Sequence, residues 1–258
     1  MTKKLFLAAC IAAMALTGCK KDPQPEPTPG PTPEPQTVSR LARTVHKNYL
    51  PSGQEVRAIA SFTWENGNLI QELDSLISPF GAPVVVTENF FYENGNHVRT
   101  EESTGVWQHY FTYENGMLKT FVDIYRNDTL YFGEVTAYNA NGNLEEVIYN
   151  TIPKMNKYHL TWDNDNVTQL VNYIIQPAEE ADTVTYNMAY DGKQSVYTGL
   201  PLSYILMGND EGYFLERISK HNVFDVSYTY NYDEKDRLIS KVKENDSTFY
   251  YYIEQTIE

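Results

Sequence analysis

The histidines and acidic residues are the first candidates for metal binding or acid–base catalysis. The five histidines are His46, His97, His109, His159 and His221. They show neither the HExxH spacing nor the close pairing that is typical of zinc sites. Asp163-Asn164-Asp165-Asn166 begins like a calcium loop but lacks the glycine and the final glutamate of such a loop, so we expect a turn there. The sequence therefore predicts no metal site and no cofactor.

Adjacent glutamates are the candidates for a hydrolase of the glycosidase type. The pairs are Glu101-Glu102, Glu145-Glu146 and Glu179-Glu180. Neighbours in a strand point to opposite faces, so such a pair does not act as a unit. The chain also has no Gly-x-Ser-x-Gly elbow and no phosphate-binding loop. We predict no catalytic residues and a non-enzymatic protein. The alternative is a glycan hydrolase that uses carboxylates from different strands of one concave sheet face.

Aromatic side chains are the candidates for ligand contacts, because their rings stack on sugars. Trp64 and Trp162 open two copies of a repeated phrase, and we expect both to pack against neighbouring hairpins. Trp107 is a candidate ligand contact, with packing as the alternative. Tyr250, Tyr251 and Tyr252 follow Phe249 and would place aromatics on both faces of one strand. We predict that this strand is an edge strand and a contact surface, and the alternative is a strand covered on both faces.

Length and charge limit the function further. The chain has 258 residues, 41% of them hydrophobic, which is enough for one large all-β domain. Its net charge of −14 disfavours nucleic acid as a partner. Both cysteines, Cys10 and Cys19, lie in the first 19 residues, so no disulfide can stabilise the rest of the chain.

The N-terminus has the pattern of an export signal. Lys3 and Lys4 precede an apolar run of twelve residues, Leu5 to Leu16, which is too short for a permanent membrane span. The run ends in Leu16-Thr17-Gly18-Cys19, which resembles the lipobox of bacterial lipoproteins. The resemblance implies cleavage after residue 18 and a lipid anchor on Cys19. An ordinary secretory signal, in which Cys19 has no such role, is the alternative.

A proline-rich segment follows the cysteine. Seven of the 13 prolines alternate with other residues between Asp22 and Gln36, a pattern that favours extended polyproline II structure. We therefore predict a signal peptide over 1–18, an acylated cysteine and stalk over 19–36, and one domain over 37–258.

A repeated phrase organises that domain. Its clearest copies are Trp64-Glu65-Asn66-Gly67-Asn68-Leu69, Tyr92-Glu93-Asn94-Gly95-Asn96 and Tyr113-Glu114-Asn115-Gly116-Met117-Leu118, with further copies that begin at Tyr138, Trp162, Tyr190 and Tyr232. Asn-Gly supplies the two positive-φ residues of a type I′ turn, and the flanking residues alternate as strands do. We predict about seven β-hairpins in a long, curved antiparallel meander, or one that wraps towards an open barrel.

One segment interrupts the period. Tyr197 to Gly208 is largely apolar, does not alternate, and contains Gly199-Leu200-Pro201-Leu202. We expect a short helix or an ordered loop that packs on the sheet. The alternative is a lip that faces a ligand.

The last copy of the phrase suggests a family. Tyr232-Asp233-Glu234-Lys235-Asp236-Arg237-Leu238 resembles the YD repeat of Rhs-type proteins. With the lipobox, the proline-rich segment and the apolar insertion, the chain resembles a class of Bacteroidota lipoproteins whose domain has no established activity. The resemblance implies a sheet of YD-like hairpins. The chain is far too short to form the large shell of Rhs toxins.

These features together predict a lipid-anchored lipoprotein of the cell envelope. We expect an outer-membrane location, on either the periplasmic or the surface face, and a non-enzymatic role as a binding or scaffold module. The membrane is contacted through the lipid on Cys19, and the partner is an envelope protein or a glycan. A transmembrane barrel is disfavoured, because the strands carry charged residues or Asn on both faces.

Overall fold

The computed structural model describes residues 36–151, 154–176, 182–207 and 211–257. The predicted signal peptide, Cys19, nearly all of the stalk and the pair Glu179-Glu180 lie outside the described residues. The strands are β1 (Gln36–Tyr49), β2 (Glu55–Glu65), β3 (Asn68–Ile77), β4 (Val84–Glu93), β5 (Asn96–Glu102), β6 (Trp107–Glu114), β7 (Met117–Tyr125), β8 (Asp128–Tyr138), β9 (Leu144–Thr151), β10 (Lys154–Asp163), β11 (Asn166–Ile175), β12 (Asp182–Asn187), β13 (Tyr190–Gln194), β14 (His221–Val223), β15 (Thr229–Tyr232), β16 (Leu238–Lys243) and β17 (Asp246–Ile257). The helices are α1 (Leu202–Leu206) and α2 (Glu211–Ile218).

Fifteen of the strands form one antiparallel sheet, which confirms the predicted all-β meander. The order is β12 to β1 in reverse chain order, followed by β17, β16 and β15. β17 pairs with β1, so the end of the chain returns beside its beginning. The sheet starts at β12 and ends at β15, so it does not close on itself.

The repeated phrases form the hairpins, with one exception. Six of the seven copies connect consecutive strands, and Asn66, Asn94, Asn115 and Asn164 have the positive φ that the turns require. The prediction was wrong for the copy at Tyr190, because Tyr190–Gln194 is a single short strand that pairs with β14. The sequence also gave no sign of the turn at Arg126 and Asn127, where two residues other than glycine both take positive φ.

A one-residue bulge recurs beside the aromatic residue that opens the six hairpin phrases, namely Trp64, Tyr92, Tyr113, Tyr138, Trp162 and Tyr232. In the first hairpin Thr63 pairs with Gln71, whereas Trp64 pairs with Leu69, so Ile70 is the extra residue. The bulge changes which face the following residues occupy. Leu69 and Glu72, three residues apart, are therefore both buried on the same face.

The sheet curves around residues 190–223, which we call the insertion. It contains β13, α1, α2 and β14, and it covers one face of the sheet, called the inner face below. Lys241 of β16 contacts Glu216 of the insertion at 2.9 Å, and Tyr158 of β10 packs against Phe214 with ring centroids 6.3 Å apart. In a flat sheet β16 and β10 would be more than roughly 50 Å apart, so contact with one small insertion requires strong curvature.

The two ends of the sheet differ. The end with the Asn-Gly turns, called the turn end, also holds Gln36 and Ile257, which pair with each other. The opposite end, called the loop end, carries the connections at residues 50–54, 78–83 and 103–106. Neither helix in the described part of the chain is long and apolar enough to cross a membrane.

Candidate functional site

The insertion covers the inner face at its turn end. Leu206 of α1 is fully buried, and Tyr204 packs on Phe90 with ring centroids 5.6 Å apart. His97 joins the sheet to the insertion through a 2.6 Å hydrogen bond between its Nδ1 and the Ser203 hydroxyl. Burial lowers the pKa of His97 to about 4, so this histidine is neutral at pH 7. The insertion therefore packs on the sheet, as predicted.

At the same end, tyrosine hydroxyls and tryptophan indole N–H groups donate hydrogen bonds to backbone carbonyls of neighbouring hairpins. The Tyr92 hydroxyl donates to the Leu69 carbonyl at 2.9 Å, and the Tyr138 hydroxyl donates to the Leu118 carbonyl at 2.6 Å. Trp64 and Trp162 donate from their indole nitrogens to carbonyls in the same way. The expectation that these two tryptophans pack against neighbouring hairpins is confirmed.

At the loop end the inner face holds an open cavity of about 510 Å³, within the size range of small-molecule sites. One wall is apolar and comes from β2, β3 and β4: Ala58, Ala60, Phe62, Leu76, Val84 and Val86. The opposite wall carries the aromatic residues Tyr197, Tyr228 and Tyr250. The polar lining includes Glu72, Asp74, Glu216, Arg217, Lys241 and Asp246.

A carboxyl pair lies in this lining. Glu72 is only 5% exposed, donates a hydrogen bond to Asp74 and accepts one from the Tyr204 hydroxyl. Burial, together with the charges of Asp74 and Glu88, raises the pKa of Glu72 to about 8. Burial also raises the pKa of Asp74, although Arg217 opposes the increase. At pH 7 the pair therefore shares a proton, with Glu72 as the protonated partner.

Further titratable groups continue from this pair across the inner face. Glu88 pairs with Glu72 on one side and with Glu102 on the other. Burial raises the pKa of Glu88 to about 7, although the charge of nearby His109 opposes the increase. His109 is buried and bonds through Nδ1 to an Asp123 carboxylate oxygen at 2.7 Å. Together these side chains form a buried polar band from β3 to β7.

Other polar contacts lie at the side of the cavity formed by β1, β16 and β17. Lys241 contacts Glu216 at 2.9 Å. Burial lowers the pKa of Lys241, but the charge and hydrogen bond of Glu216, together with Tyr197 and Tyr228, raise it overall. The Tyr228 hydroxyl donates to Asp246 Oδ2 at 2.6 Å. Asp246 Oδ1 is buried and accepts no hydrogen bond within the described residues, although His46 Nδ1 lies 3.4 Å away. This oxygen therefore lies within ion-pair distance of His46 but accepts no hydrogen bond within the described residues.

The residues predicted as ligand contacts do not lie together in one site. Trp107 is half-buried, and its ring centroid is 4.8 Å from that of Tyr125. Tyr250 is buried and lines the cavity. Tyr251 is 50% exposed, with the Arg43 guanidinium over its ring, and Tyr252 donates to the Leu238 carbonyl. Only Tyr250 belongs to the site described above.

The predicted edge position of this strand was wrong. β17 pairs with β1 on one side and with β16 on the other, so it lies inside the sheet. The chain returns to its first strand because Gln36–Tyr49 is long and leaves a free edge for β17. The edges of the sheet are β12 and β15.

Glu72, Asp74 and Glu88 were not among the residues that the sequence singled out. Their distance in sequence from the preceding turn is the signal that could have found Glu72 and Asp74. In the first hairpin Leu69 is the inward-pointing residue just after the turn. The third and fifth residues after it, Glu72 and Asp74, also point inward. Asp74, Glu102 and Asp123 occupy the fifth position in three successive hairpins. The predicted turn at Asp163-Asn164-Asp165-Asn166 is confirmed, and within the described residues no three potential ligands group around a metal site.

Comparison with known proteins identifies the fold more clearly than a family. No family model matches the chain, and no curated protein matches its sequence. Among solved structures, a porin-like protein from Bacteroides uniformis is similar, with a TM-score of 0.56 at 12% identity. The alignment covers 83% of this chain and 98% of that chain. At this identity the similarity shows a shared all-β fold.

Proposed function

We propose that the protein is a lipid-anchored envelope protein that binds a small organic ligand in the loop-end cavity. The single observation that carries the proposal is the cavity itself. It is open and about 510 Å³ in volume, with one apolar wall, one aromatic wall and polar groups between them. This combination is typical of ligand sites. A second cavity of about 390 Å³ lies at the turn end between His97 and Leu202, but glycines and backbone of the turns form much of its lining.

The envelope location is part of this proposal and rests mainly on the N-terminal sequence. The lipobox ending in Cys19 and the proline-rich segment support a lipid anchor and a spacer. The similarity in fold to a porin-like protein from Bacteroides agrees with that location. Membership of the YD-repeat lipoproteins is likewise proposed, and the recurring hairpins are its support.

Ligand binding can be tested on the soluble fragment 37–258. A library of glycans and small amphipathic compounds would be screened for ligands that raise its melting temperature. Ala60→Phe places a large ring in the cavity, so we expect it to abolish the effect of each ligand found. Circular dichroism would show that the variant remains folded. If no compound stabilises the fragment, or if Ala60→Phe binds as well as wild type, the cavity is not the ligand site.

The lipid anchor needs a separate test. Cells that express the full chain or its Cys19→Ala variant would be labelled with radioactive palmitate. We expect label only in the wild-type protein, because acylation requires the cysteine thiol. Equal labelling of the two proteins would refute the anchor.

One observation favours a second function, an envelope glycan hydrolase. Glu72 is a buried acid in an open cavity, and its raised pKa keeps it protonated at pH 7, as a general acid requires. Its hydrogen bond with Asp74 holds the two carboxyls closer than the 5 Å or more that is typical of glycosidases. Glu88 would have to serve as the second carboxylate. Release of reducing ends from envelope glycans by wild type, but not by Glu72→Gln, would establish this function in place of simple binding.

A further inference from the structure

The face of the sheet opposite the inner face, called the outer face below, carries a row of side chains that runs straight across five strands. Consecutive strands pair at the members of this row, which from β4 to β8 are Phe91, Arg99, Tyr110, Val122 and Phe132. Adjacent residues in a strand point to opposite faces. Phe90, Phe111 and Phe121, each next to a member of the row, are buried on the inner face, so the row points outward.

The aromatic rings in this row are evenly spaced. Phe91, Tyr110 and Phe132 lie on every second strand, and their exposed fractions are 37%, 37% and 38%. Neighbouring strands are about 4.8 Å apart, so the rings recur at roughly 10 Å. This interval is close to the length of two sugar units in an extended β-linked glycan. A chain of about six sugars therefore spans all three rings.

Polar side chains lie beside the rings on both sides. They are two residues away along the strands and therefore on the same face. The set towards the loop end is Asn89, Glu101 and Gln108, and the set towards the turn end is Thr112, Thr120 and Glu134. Amide and carboxylate groups each have more than one hydrogen-bonding position, and sugar hydroxyls both donate and accept. The rings are thus flanked by two rows of groups that can bind hydroxyls.

The charges beside the rings are balanced, although the chain as a whole carries −14. Arg99 contacts Glu101 at 2.7 Å, and Lys119 contacts Glu134 at 2.9 Å. A charged polymer meets no excess of opposite charge at two such pairs, because each cation already has its anion. This balance favours a neutral partner.

We propose that the outer face binds a single chain of a neutral β-linked glycan, with its sugars on Phe91, Tyr110 and Phe132. The apolar faces of sugars pack on the rings, and the hydroxyls at the edges of the chain meet the two polar rows. The Arg99 guanidinium carbon lies 4.2 Å from the centroid of the Phe91 ring, a contact that holds this ring in place. The loop-end cavity opens on the inner face, so this is a second binding site that adds to the proposed function.

The first test compares neutral and charged glycans. The full-length chain in detergent would be run on native gels that contain hydroxyethylcellulose or laminarin, which are neutral β-glucans, or polygalacturonate, which is anionic. We expect at least one neutral β-glucan to retard the protein and polygalacturonate to have no effect. Retardation by polygalacturonate alone, or by none of the three, would overturn the proposal.

The length of the chain provides a second test. Isothermal titration calorimetry would measure the affinities of oligosaccharides with two, four and six sugars, taken from the β-glucan that retards the protein. We expect the hexasaccharide to bind at least about tenfold more tightly than the disaccharide, because only the longer chain reaches all three rings. Equal affinities would contradict a site that extends along the row.

Variants locate the site. A triple variant with Phe91→Leu, Tyr110→Leu and Phe132→Leu keeps apolar side chains but removes the rings. We expect it to bind the hexasaccharide at least about tenfold more weakly, since a few aromatic contacts dominate such surfaces. Tyr173→Leu is the matched control, because Tyr173 is also 37% exposed but lies on β11 outside the row. Wild-type affinity in the triple variant would refute the site.

Circular dichroism would check that the triple variant folds. If it does not, the comparison of Tyr110→Leu with Tyr110→Phe replaces it. We expect Tyr110→Leu to weaken the hexasaccharide and Tyr110→Phe, which retains the ring, to bind nearly as well as wild type. Equal affinities in these two variants would show that the ring is not a contact.

A second copy of this chain is the competing occupant of the outer face. Light scattering would measure the molar mass of the wild-type chain and of Tyr110→Lys, and we expect both to be monomers. A wild-type dimer that Tyr110→Lys dissociates would assign the face to self-association and overturn the glycan proposal.

Discussion

The two halves of the inner face come from the same hairpin repeat but have opposite character. At the turn end Leu69, Phe90 and Leu206 are buried in one continuous core. At the loop end of the same strands, Ala58 and Ala60 replace large side chains, and no part of α1 lines the cavity. One half therefore stabilises the fold, whereas the other leaves room for a ligand.

Hairpins also differ from one another at one of two matching inward positions: the third position is apolar in one copy and acidic in another, whereas the fifth is Asp in both. The third and fifth residues after the inward residue that follows the turn are Phe121 and Asp123 in one copy, but Glu72 and Asp74 in another. The backbone geometry is the same in both hairpins. A repeat can thus supply core or polar site from identical positions, according to which side chains occupy them.

The largest change in stability is expected from a substitution that creates a void in the turn-end core. Leu206→Ala removes a fully buried side chain and leaves a void, so we expect a loss of about 2–5 kcal/mol in the free energy of unfolding. Leu76→Ala, on the cavity wall at 45% exposure, should cost less than about 1 kcal/mol. Urea denaturation of both variants would measure the contrast. Similar losses would show that the two halves are packed alike.

In the open half, a substitution at the buried acid should increase stability at high pH instead of reducing it. The pKa of Glu72 is raised to about 8, so the stability linked to its proton is present below the pKa of the unfolded chain and is lost as pH rises through 8. Glu72→Gln keeps the shape without the titration, so we expect it to be more stable than wild type at pH 9 by about 2 kcal/mol. The advantage should disappear at pH 5.

Urea midpoints at pH 5, 7 and 9 would test this difference. The exposed Glu65→Gln variant is the control and should follow wild type at each pH. A Glu72→Gln variant that loses stability with rising pH as steeply as wild type would show that Glu72 is not the buried acid responsible.

Gly133 tests how tightly the filled half is packed. A Cβ at this position would lie 1.8 Å from Phe121 Cζ, so the ring must move. We expect Gly133→Ala to cost about 1–3 kcal/mol, as overpacking does. Differential scanning calorimetry would measure the change, and Gly81→Ala, where nothing lies within 4 Å, should be close to neutral. An unaffected Gly133→Ala variant would mean that this part of the core is loosely packed.

The smallest effect is expected from single hydrogen bonds between hairpins. Tyr138→Phe removes the donor to the Leu118 carbonyl and keeps the ring, so we expect a loss of about 1 kcal/mol. Tyr251→Phe, at a half-exposed position, should change stability by less. Chemical denaturation of the two variants would compare them. Equal changes would indicate that these bonds contribute nothing beyond ring packing.

Much of the fold could be predicted because its turns are local. Asn-Gly requires no distant partner to favour a type I′ turn, so the hairpins at the turn end follow from short phrases such as Asn66-Gly67. The turn at Arg126-Asn127 has no glycine and was missed. The pairing of β17 with β1 joins residues 198 to 221 positions apart, and no local signal encodes it.

The candidate site could not be predicted for a specific physical reason. Strict alternation would place Leu69 and Glu72 on opposite faces, but the bulge at Ile70 puts both on the inner face. The sequence pattern instead indicated adjacent pairs such as Glu101-Glu102 as candidate carboxylates. Of that pair, only Glu102 belongs to the inner polar band. The location of the cavity also depends on how far the insertion extends along the face, which side-chain patterns do not reveal.

The pairing of Gln36 with Ile257 has a practical consequence for how the protein can be held. Both ends of the described chain leave the sheet at the turn end, whereas the cavity opens roughly 30 Å away along β1, at the other end. A tether, tag or fusion attached at Gln36 or Ile257 is therefore remote from the cavity mouth. A protein held on a sensor surface at either of these two residues would therefore present its cavity to the solution.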